Sequence, residues 1–210
     1  MIDGLLENDE RILITIKSRY RRAAEYMLKC NKKSVLDIGC SVGYGSNILH
    51  SMGFLVKGID YNKESIKVAR KKYPKIEFEA ADTASYKKGR YDAVVALEVI
   101  EHLKNYKSSL KNWFDMLKPG GILIISTPNS KYQKSKSHFH KKEFTYDELK
   151  LIFPGSTIEG FDWHYMTTKP ITLLLGGVAA LKFRMSLNKI ARRFPKYSNN
   201  LFLVMEKLKY

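Results

Sequence analysis

The architecture of this chain follows from one stretch, residues 35–45, which reads VLDIGCSVGYG. The run Ser34–Ile38 is short and apolar, which predicts a buried β-strand. The three glycines after it predict a tight turn that lets the backbone approach a ligand, because glycine lacks a Cβ. A helix from Gly45 to Met52 is expected next, with the positive end of its dipole toward the turn. Many nucleotide-type sites share this unit, so the glycines alone leave the ligand open.

Strands and helices alternate on both sides of this unit. We predict a helix at residues 12–28, strands at 34–38, 55–59, 76–80, 91–97 and 122–126, and helices at 45–52, 63–72 and 106–117. Pro119-Gly120-Gly121 is expected to end the last helix. The alternation predicts βαβ units. It therefore indicates an α/β, Rossmann-like, doubly wound and mostly parallel sheet, with its ligand at the carboxyl ends of the strands.

The pattern loosens after Asn129. We predict a basic loop at 131–140, a helix at 145–153 that begins with a capping-box pair, Thr145 and Glu148, and strands at 157–163 and 201–206. These strands bring the sheet to seven. We expect one domain over 1–210. Its parts are an N-terminal helical segment (1–33), a ligand-binding core (34–130) and a substrate-side part (131–210) with a helical insertion at 168–195.

The charge is strongly positive and uneven. The 210 residues include 37 Lys and Arg against 21 Asp and Glu, a formal net charge of +16. Residues 131–210 hold 15 basic and 6 acidic side chains, which is more than half of the excess. Such a field favours an anionic partner, which could be phosphate, nucleic acid or an acidic membrane surface, and the alternative is a lysine-rich solvated surface.

The location is expected to be cytoplasmic. Met1–Glu10 is acidic and lacks the apolar core of a secretory signal. Cys30 and Cys40 are therefore expected to be free thiols in a reducing compartment. The longest mostly apolar run, between Lys169 and Lys182, is shorter than the ~20 residues that span a bilayer.

Acidic residues end three successive predicted strands. Asp37 precedes the glycine turn, where a carboxylate repels a pyrophosphate but suits an ammonium group such as that of S-adenosylmethionine. The alternative is that Asp37 only binds the backbone of the turn. Asp60 lies 21 residues after Gly39, where an acid can accept hydrogen bonds from both ribose hydroxyls. Asp82 can accept one from an adenine amine. Each acid alone could be a helix cap, but the series favours S-adenosylmethionine.

Six stretches together resemble one family. They are residues 35–45, 58–62, 81–83, 91–103 (YDAVVALEVIEHL), 117–129 (LKPGGILIISTPN) and 140–149 (HKKEFTYDEL). Over roughly residues 15–165 the chain resembles the class I S-adenosylmethionine-dependent methyltransferases. Within them it is similar to the ubiquinone-biosynthesis O-methyltransferases and the methyltransferase type 11 group. The motifs are specific for fold and cofactor and carry little information on the substrate.

The resemblance implies a set of cofactor-binding residues. They are Arg19, Asp37, Gly39, Cys40, Ser41, Gly43, Asp60, Tyr61, Asp82, Thr83 and Leu97. Arg19 would face the methionine carboxylate, and the alternative is a surface arginine. Ser41 stands where the family usually has glycine. It can be accommodated if its φ is negative, and its hydroxyl could bind the cofactor carboxylate, so the conformation of the turn stays open.

The segment after the fourth strand suggests catalytic residues. If it is helical, Glu98, Glu101 and His102 share one face. His102 could then take a proton from a hydroxyl acceptor, with Glu98 beside it. The alternative is a surface His102 and a Glu98 that anchors the cofactor or its loop. His140 is expected in a substrate-side lid. We predict no metal, because His138-Phe139-His140 lacks an obvious third ligand.

The insertion allows two interpretations. Phe183, Leu187, Ile190 and Phe194 recur at helical spacing, with Lys182, Lys189, Arg192 and Arg193 as a basic complement. The pattern fits an amphipathic segment that rests on anionic membranes, or a cap over the acceptor pocket.

The leading hypothesis is methyl transfer to an oxygen of a small-molecule or lipid-like acceptor. RNA methylation, suggested by the charge, and methylation of sugars or glycans are the alternatives. RNA methylation is disfavoured by Ala96-Leu97-Glu98 at the end of the fourth strand. Nucleic-acid enzymes that methylate amino groups have a motif resembling Asn/Asp-Pro-Pro-aromatic at this place. A nicotinamide-dependent oxidoreductase is disfavoured by Asp37, and a cofactor-binding regulator without catalysis stays open.

Overall fold

The computed structural model describes residues 10–132, 139–163 and 188–208. Their contacts divide the chain into two compact units. The first comprises the described parts of residues 1–99, 105–124 and 206–210, and the second those of residues 100–104 and 125–205.

Helices and strands alternate in the first unit. Its elements are α1 (Glu10–Lys29), β1 (Ser34–Ile38), α2 (Tyr44–Ser51), β2 (Leu55–Asp60), α3 (Lys63–Lys72), β3 (Glu77–Ala80), β4 (Tyr91–Leu97) and α4 (Tyr106–Asp115). Strand β5 (Leu117–Pro128) starts in this unit and continues into the second. The second unit adds α5 (Tyr146–Ile152), β6 (Thr157–Trp163), α6 (Asn188–Arg193) and β7 (Ser198–Glu206), with 3-10 helices at Ile100–His102 and Pro195–Tyr197.

The strands form one seven-stranded sheet in the order β3-β2-β1-β4-β5-β7-β6. Strand β1 pairs in parallel with β2 and β4, β2 pairs in parallel with β3, and β6 and β7 are antiparallel. The predicted seven-stranded, Rossmann-like α/β fold is confirmed. The register places Ile38 beside Ile59 and Asp60 beside Ala80, so the carboxyl ends of the first three strands lie side by side.

The core of the first unit explains why the sequence forms these elements. The inner part of β4, residues 93–96, is fully buried, as expected for a strand covered on both faces. Helix α1 buries Tyr20, Ala23, Ala24 and Met27, which recur at the spacing of one helix face. The aromatic ring and the methyl groups of this face are thereby removed from water.

Helix α3 begins at the N-cap Asn62, whose side chain accepts hydrogen bonds from the amides of Glu64 and Ser65. The predicted capping box of α5 is also present: the Thr145 hydroxyl accepts from the Glu148 amide, and the Glu148 carboxylate accepts from the Thr145 amide. Both caps satisfy amide donors that a helix start leaves unpaired.

The predicted boundary between α4 and β5 is wrong. Helix α4 ends at Asp115 and β5 begins at Leu117, so Pro119-Gly120-Gly121 lies inside a strand instead of ending a helix. The backbone of this segment pairs with the end of the chain, because the Gly120 amide donates to the Lys207 carbonyl oxygen at 3.0 Å and the Lys207 amide donates to that of Gly121 at 2.8 Å. Gly120 has a φ of +71°, which glycine adopts without strain.

The predicted insertion is described only at its end. Residues 168–187, including Lys182, Phe183 and Leu187, lie outside the described residues. Helix α6 packs closely on β6, since a Cβ at Gly160 would come within 2.4 Å of the Ala191 carbonyl oxygen. Among the described helices, none combines the length and the apolar content that crossing a membrane requires.

Candidate cofactor and acceptor sites

The glycine turn between β1 and α2 uses three left-handed residues. Gly39, Ser41 and Gly43 have φ values of +73°, +48° and +79°. The condition of a negative φ at Ser41 is therefore not met. A positive φ is unfavourable for serine, but its amide donates to Oδ2 of Asp60 at 2.9 Å, which holds the residue in place.

Close packing requires Gly39 in this turn and Gly45 at the start of α2. A Cβ at Gly39 would lie 2.5 Å from Cγ2 of Val99, and one at Gly45 would lie 1.9 Å from the Tyr20 ring. The amides of Gly39 and Cys40 both donate to the Ile59 carbonyl oxygen, at 2.8 and 3.1 Å. These two amides thus hold the turn against β2 and are already used within the fold.

The Cys40 side chain packs against β2 next to the glycine turn. Its side chain is buried, and its Sγ would lie 2.9 Å from a Cβ at Gly58. Burial raises the pKa of this thiol well above its ordinary value. Cys40 is therefore a packed neutral thiol, and its contact with the cofactor stays a prediction.

Asp37 is fully buried at the centre of a hydroxyl network. Its Oδ1 accepts from the Tyr20 hydroxyl at 3.0 Å and its Oδ2 from the Ser46 hydroxyl at 2.6 Å. Burial raises the pKa of Asp37 to about 7, the two hydroxyls oppose this rise, and the charge of Asp60 adds to it. The carboxyl group is thus poised between its neutral and charged forms near neutral pH, where a cation would favour the charged form.

Asp60 is largely buried at the end of β2. Its Oδ2 accepts from the Ser41 amide and its Oδ1 from the Asn62 amide, both at 2.9 Å. A carboxylate oxygen has two lone pairs, so each oxygen can accept one further hydrogen bond. Tyr61, the next residue, is 76% exposed.

Asp82 is exposed and caps the turn after β3. It accepts from the Ala84 amide at 3.0 Å and from the Ser85 hydroxyl at 2.7 Å. Thr83 is buried, and its carbonyl oxygen accepts from the Trp113 indole at 2.8 Å. Asp82 can cap this turn and contact an adenine at the same time, since a carboxylate can accept several hydrogen bonds.

Arg19 is a buried residue, which contradicts the alternative of a surface arginine. Its guanidinium lies 3.7 Å from Oε2 of Glu98, and its Nε is buried without a hydrogen-bond partner. A buried donor of this kind is rare, and a carboxylate ligand would satisfy it. Leu97 is half-buried at the end of β4, immediately before Glu98.

The predicted helical face of Glu98, Glu101 and His102 does not form. Glu98 has a φ of +58°, and only Ile100–His102 is helical, as a single 3-10 turn. The left-handed residue turns the chain, so Glu98 pairs with Arg19 in the first unit. Glu101 and His102 belong to the second.

In the second unit, Glu101 and His102 lie close to His140. Glu101 is buried and its Oε2 accepts from the Thr127 hydroxyl at 3.1 Å. His102 is exposed, and its ring contacts that of His140 edge to face with centroids 5.0 Å apart. One ligand atom from each of the three residues lies within 4.8 Å of the others, so this set could hold a metal ion. The sequence pattern, which was limited to His138-Phe139-His140, predicted none.

Sequence reasoning missed Tyr20, Ser46 and Thr127. Tyr20 had a detectable signal: it lies at the spacing of the buried α1 face with Ala23 and Ala24, and a buried tyrosine hydroxyl needs a partner. Ser46 and Thr127 had none, because no residue pattern around them marks a serine or threonine hydroxyl that donates to a buried carboxylate.

Comparison with known proteins agrees with this geometry. Residues 11–168 match the family model of a methyltransferase domain. The chain is 32% identical over 112 residues to a probable S-adenosylmethionine-dependent methyltransferase of Mycolicibacterium smegmatis, covering 52% of this chain and 42% of that protein. It is 30% identical over 158 residues to the ubiquinone biosynthesis O-methyltransferase of Vibrio parahaemolyticus, covering 67% and 66%. The match to the mycobacterial relatives spans about half of their length or less.

Solved structures show the same fold. A SAM-dependent methyltransferase from Archaeoglobus fulgidus superposes with a TM-score of 0.67 at 22% identity, covering 94% of this chain and 95% of that one. A plantazolicin methyltransferase in complex with SAH also gives 0.67, at 17% identity, covering 99% and 89%. At these identities the likeness concerns the fold alone.

Proposed function

Since the chain belongs to the methyltransferase domain family, we propose that it transfers a methyl group from S-adenosylmethionine to an oxygen atom of a small-molecule or lipid-like acceptor. The observation that carries the proposal is the set of charged groups at one edge of the sheet. Asp37 and Asp60 lie at the carboxyl ends of β1 and β2, and Asp82 follows the adjacent strand β3. The buried Arg19 lies in the same unit.

The amino-acid end of the cofactor fits Arg19 and Asp37. The Arg19 Nε has no hydrogen-bond partner among the residues that the structure describes, and a guanidinium binds a carboxylate through paired N–H groups. Burial raises the pKa of Asp37 to about 7. A ligand ammonium would stabilise the charged form of this carboxyl group. A pyrophosphate at this place would meet the same carboxylate unfavourably.

The nucleoside end fits the next two strands. The backbone amides of Ser41 and Asn62 fix both oxygens of Asp60, which preorganises the carboxylate to accept from ribose hydroxyls. Asp82 and Thr83 are the candidates for the adenine. Both residues lie in the turn after β3, and β3 pairs with β2 in the sheet.

Methyl transfer requires little from the protein beyond alignment of the acceptor with the methyl group. When bound, S-adenosylmethionine supplies an electrophilic methyl group on a sulfonium sulfur. The chain must orient the acceptor and exclude water. For a hydroxyl acceptor, His102 is the candidate that takes the proton. Glu98 pairs with Arg19, so we assign it to anchoring the cofactor side, and His140 to the acceptor side.

The acceptor class is inferred from the relatives and from the insertion. The printed name of the Vibrio parahaemolyticus relative specifies O-methylation in ubiquinone biosynthesis. The apolar and basic residues of 168–195 suit an acceptor with an apolar part. We propose that the protein is cytoplasmic and contacts anionic membranes through this segment, because each Lys or Arg near an anionic surface adds ~1 kcal/mol of attraction.

A mass-shift screen tests the proposed function. The protein is incubated with S-adenosylmethionine and separate panels of phenols, lipids, sugars and RNA, and products are searched for the mass of one added methyl group. The proposal predicts products among the phenols or lipids. Products confined to RNA would favour the alternative suggested by the net charge of +16. Products confined to the sugars would favour a glycan enzyme.

A further inference from the structure

Asp37 is a buried acid that the fold surrounds with neutral hydrogen-bond donors. The residue is 0% exposed, and the hydroxyls of Tyr20 and Ser46 donate to its two oxygens at 3.0 and 2.6 Å. We infer that Tyr20 and Ser46 are positioning residues that hold Asp37 as a neutral acid in the cofactor-free protein, and that S-adenosylmethionine expels this proton when its ammonium group binds. The inference rests on the proposed function, since it requires the amino-acid end of the cofactor to lie at Asp37.

The elements packed around Asp37 supply no cation to balance its charge. The groups that face it are neutral or acidic: Tyr20 on α1, Ser46 on α2, Cys40 in the glycine turn and Asp60 on β2. The neighbouring strand β4 opposes Asp37 with the apolar Val95. Among the residues that the structure describes, no lysine, arginine or histidine forms an ion pair with Asp37, and the Arg19 guanidinium pairs with Glu98.

Burial without a cationic partner favours the neutral form of an acid, because the charged form loses its hydration. Burial accordingly raises the pKa of Asp37 to about 7, the Ser46 and Tyr20 hydroxyls oppose this rise, and the charge of Asp60 adds to it. Hydroxyls can accept as well as donate, so either one can also accept the proton of the neutral acid. The two hydroxyls therefore suit both forms and set the pH at which the proton leaves.

The cofactor brings the cation that the fold lacks. An ammonium group beside Asp37 favours the carboxylate, so the acid passes its proton to the solvent and becomes the counter-ion of the ligand. S-adenosylmethionine and S-adenosylhomocysteine carry the same ammonium group, so this proton accompanies binding and takes no part in methyl transfer. Below a pH of about 7, the affinity for either molecule should fall by up to about tenfold per pH unit.

Calorimetry of the full chain with S-adenosylhomocysteine at pH 6 counts the protons. The titration is run in two buffers with different enthalpies of ionisation, because the buffer takes up the released proton and adds its own heat. The ligand ammonium has an ordinary pKa of about 8 and stays protonated at pH 6. We expect release of about 0.9 proton per bound ligand. 5′-Methylthioadenosine, which shares the nucleoside but lacks the amino-acid end, should release none.

Variants of the two hydroxyl donors distinguish positioning from packing. Tyr20→Phe and Ser46→Ala each remove a donor that favours the anion, so Asp37 should keep its proton to a higher pH. At pH 7 we expect the release on binding to rise from about half a proton toward one. Tyr26→Phe on α1 and Ser51→Ala on α2 are the matched controls and should release as the unaltered protein does. Thermal unfolding checks that each variant folds.

Asp37→Asn has no proton to lose and should bind without release at pH 6. Binding to the unaltered protein without release at pH 6, or equal release in a folded Asp37→Asn, would overturn the inference and leave the proposed function standing. Unchanged release at pH 7 in folded Tyr20→Phe and Ser46→Ala would contradict their positioning role. No binding of S-adenosylhomocysteine at any pH would contradict the proposed function itself.

Discussion

Asp37 illustrates how one buried residue can control both stability and ligand choice. The Tyr20 hydroxyl from α1 and the Ser46 hydroxyl from α2 donate to it, and the charge of Asp60 from β2 and the Cys40 thiol lie nearby. Because burial raises the pKa of Asp37 from 3.8 to about 7, the folded protein holds a proton there that the unfolded chain releases at lower pH.

This linkage predicts a pH effect that Asp37→Asn removes. The stability from the retained proton is fully present below the unfolded pKa and is lost as the pH rises through about 7. The free energy of unfolding of the unaltered protein should therefore fall more between pH 5 and pH 8 than that of Asp37→Asn. Denaturant titration at both pH values measures this difference. Asp147→Asn, on the exposed side of α5, is the control, and identical pH dependence in the protein and Asp37→Asn would contradict the prediction.

Asp60 is the residue on which the nucleoside assignment depends. We expect Asp60→Asn to weaken S-adenosylhomocysteine binding by about 1–3 kcal/mol, because a charged acceptor of hydroxyl hydrogen bonds is replaced by a neutral one. The asparagine oxygen can still accept from one of the two amides that Asp60 holds, so the turn should persist. Calorimetry measures the affinity, with Asp115→Asn as the control. A folded Asp60→Asn that binds as tightly as the unaltered protein would remove Asp60 from the cofactor site.

At the scale of elements, α1 is docked on the glycine turn by Tyr20. The ring fills the space left by the absent Cβ of Gly45, and the hydroxyl reaches Asp37. Tyr20→Phe keeps the ring and removes only the hydroxyl. We expect it to lower the free energy of unfolding by about 1–3 kcal/mol at pH 8 and by less at pH 5, because a hydrogen bond to a charged carboxylate is the stronger one.

Denaturant titration of Tyr20→Phe and of the control Tyr26→Phe, on the same helix, measures the loss at each pH. Equal losses for Tyr20→Phe at the two pH values would mean that its hydroxyl does not stabilise the Asp37 anion.

The sequence predicted most elements, because their burial pattern is local. Strands β1, β4 and β6 and helix α3 have the predicted bounds. Two of the departures arise from long-range contacts. Pro119-Gly120-Gly121 reads as a helix stop, but pairing with Lys207 makes it part of β5. Glu98 reads as the start of a helix, but it adopts a left-handed conformation and pairs with Arg19.

At the scale of the whole molecule, the family and the fold could be predicted, since an ordered set of motifs specifies them and the family match confirms them. The site was predicted less completely. The acids at the strand ends were identifiable from their positions, whereas the cluster of Glu101, His102 and His140 depends on backbone hydrogen bonds between distant segments. The acceptor leaves no comparable pattern in the sequence.

The charge of the molecule gives a prediction about membranes. We expect the protein to sediment with anionic vesicles and not with neutral ones, and to be released by high salt, because screening weakens the attraction. Lys189→Glu with Arg193→Glu should reduce sedimentation strongly. Lys71→Glu with Lys75→Glu, on and just after α3, changes the net charge equally and should reduce it much less. Equal reduction by the two pairs would assign the effect to net charge alone, and recovery in the supernatant under all conditions would contradict membrane contact.

The central claim is that the first unit holds S-adenosylmethionine at the sheet edge formed by the carboxyl ends of β1, β2 and β3, where Asp37, Asp60 and Asp82 lie. Calorimetric titration of the full chain with S-adenosylhomocysteine and, separately, with NAD tests it most directly. We predict saturable binding of S-adenosylhomocysteine at one site per chain and no heat of binding with NAD, since the Asp37 carboxylate disfavours a pyrophosphate. Tight binding of NAD with no response to S-adenosylhomocysteine would contradict the account.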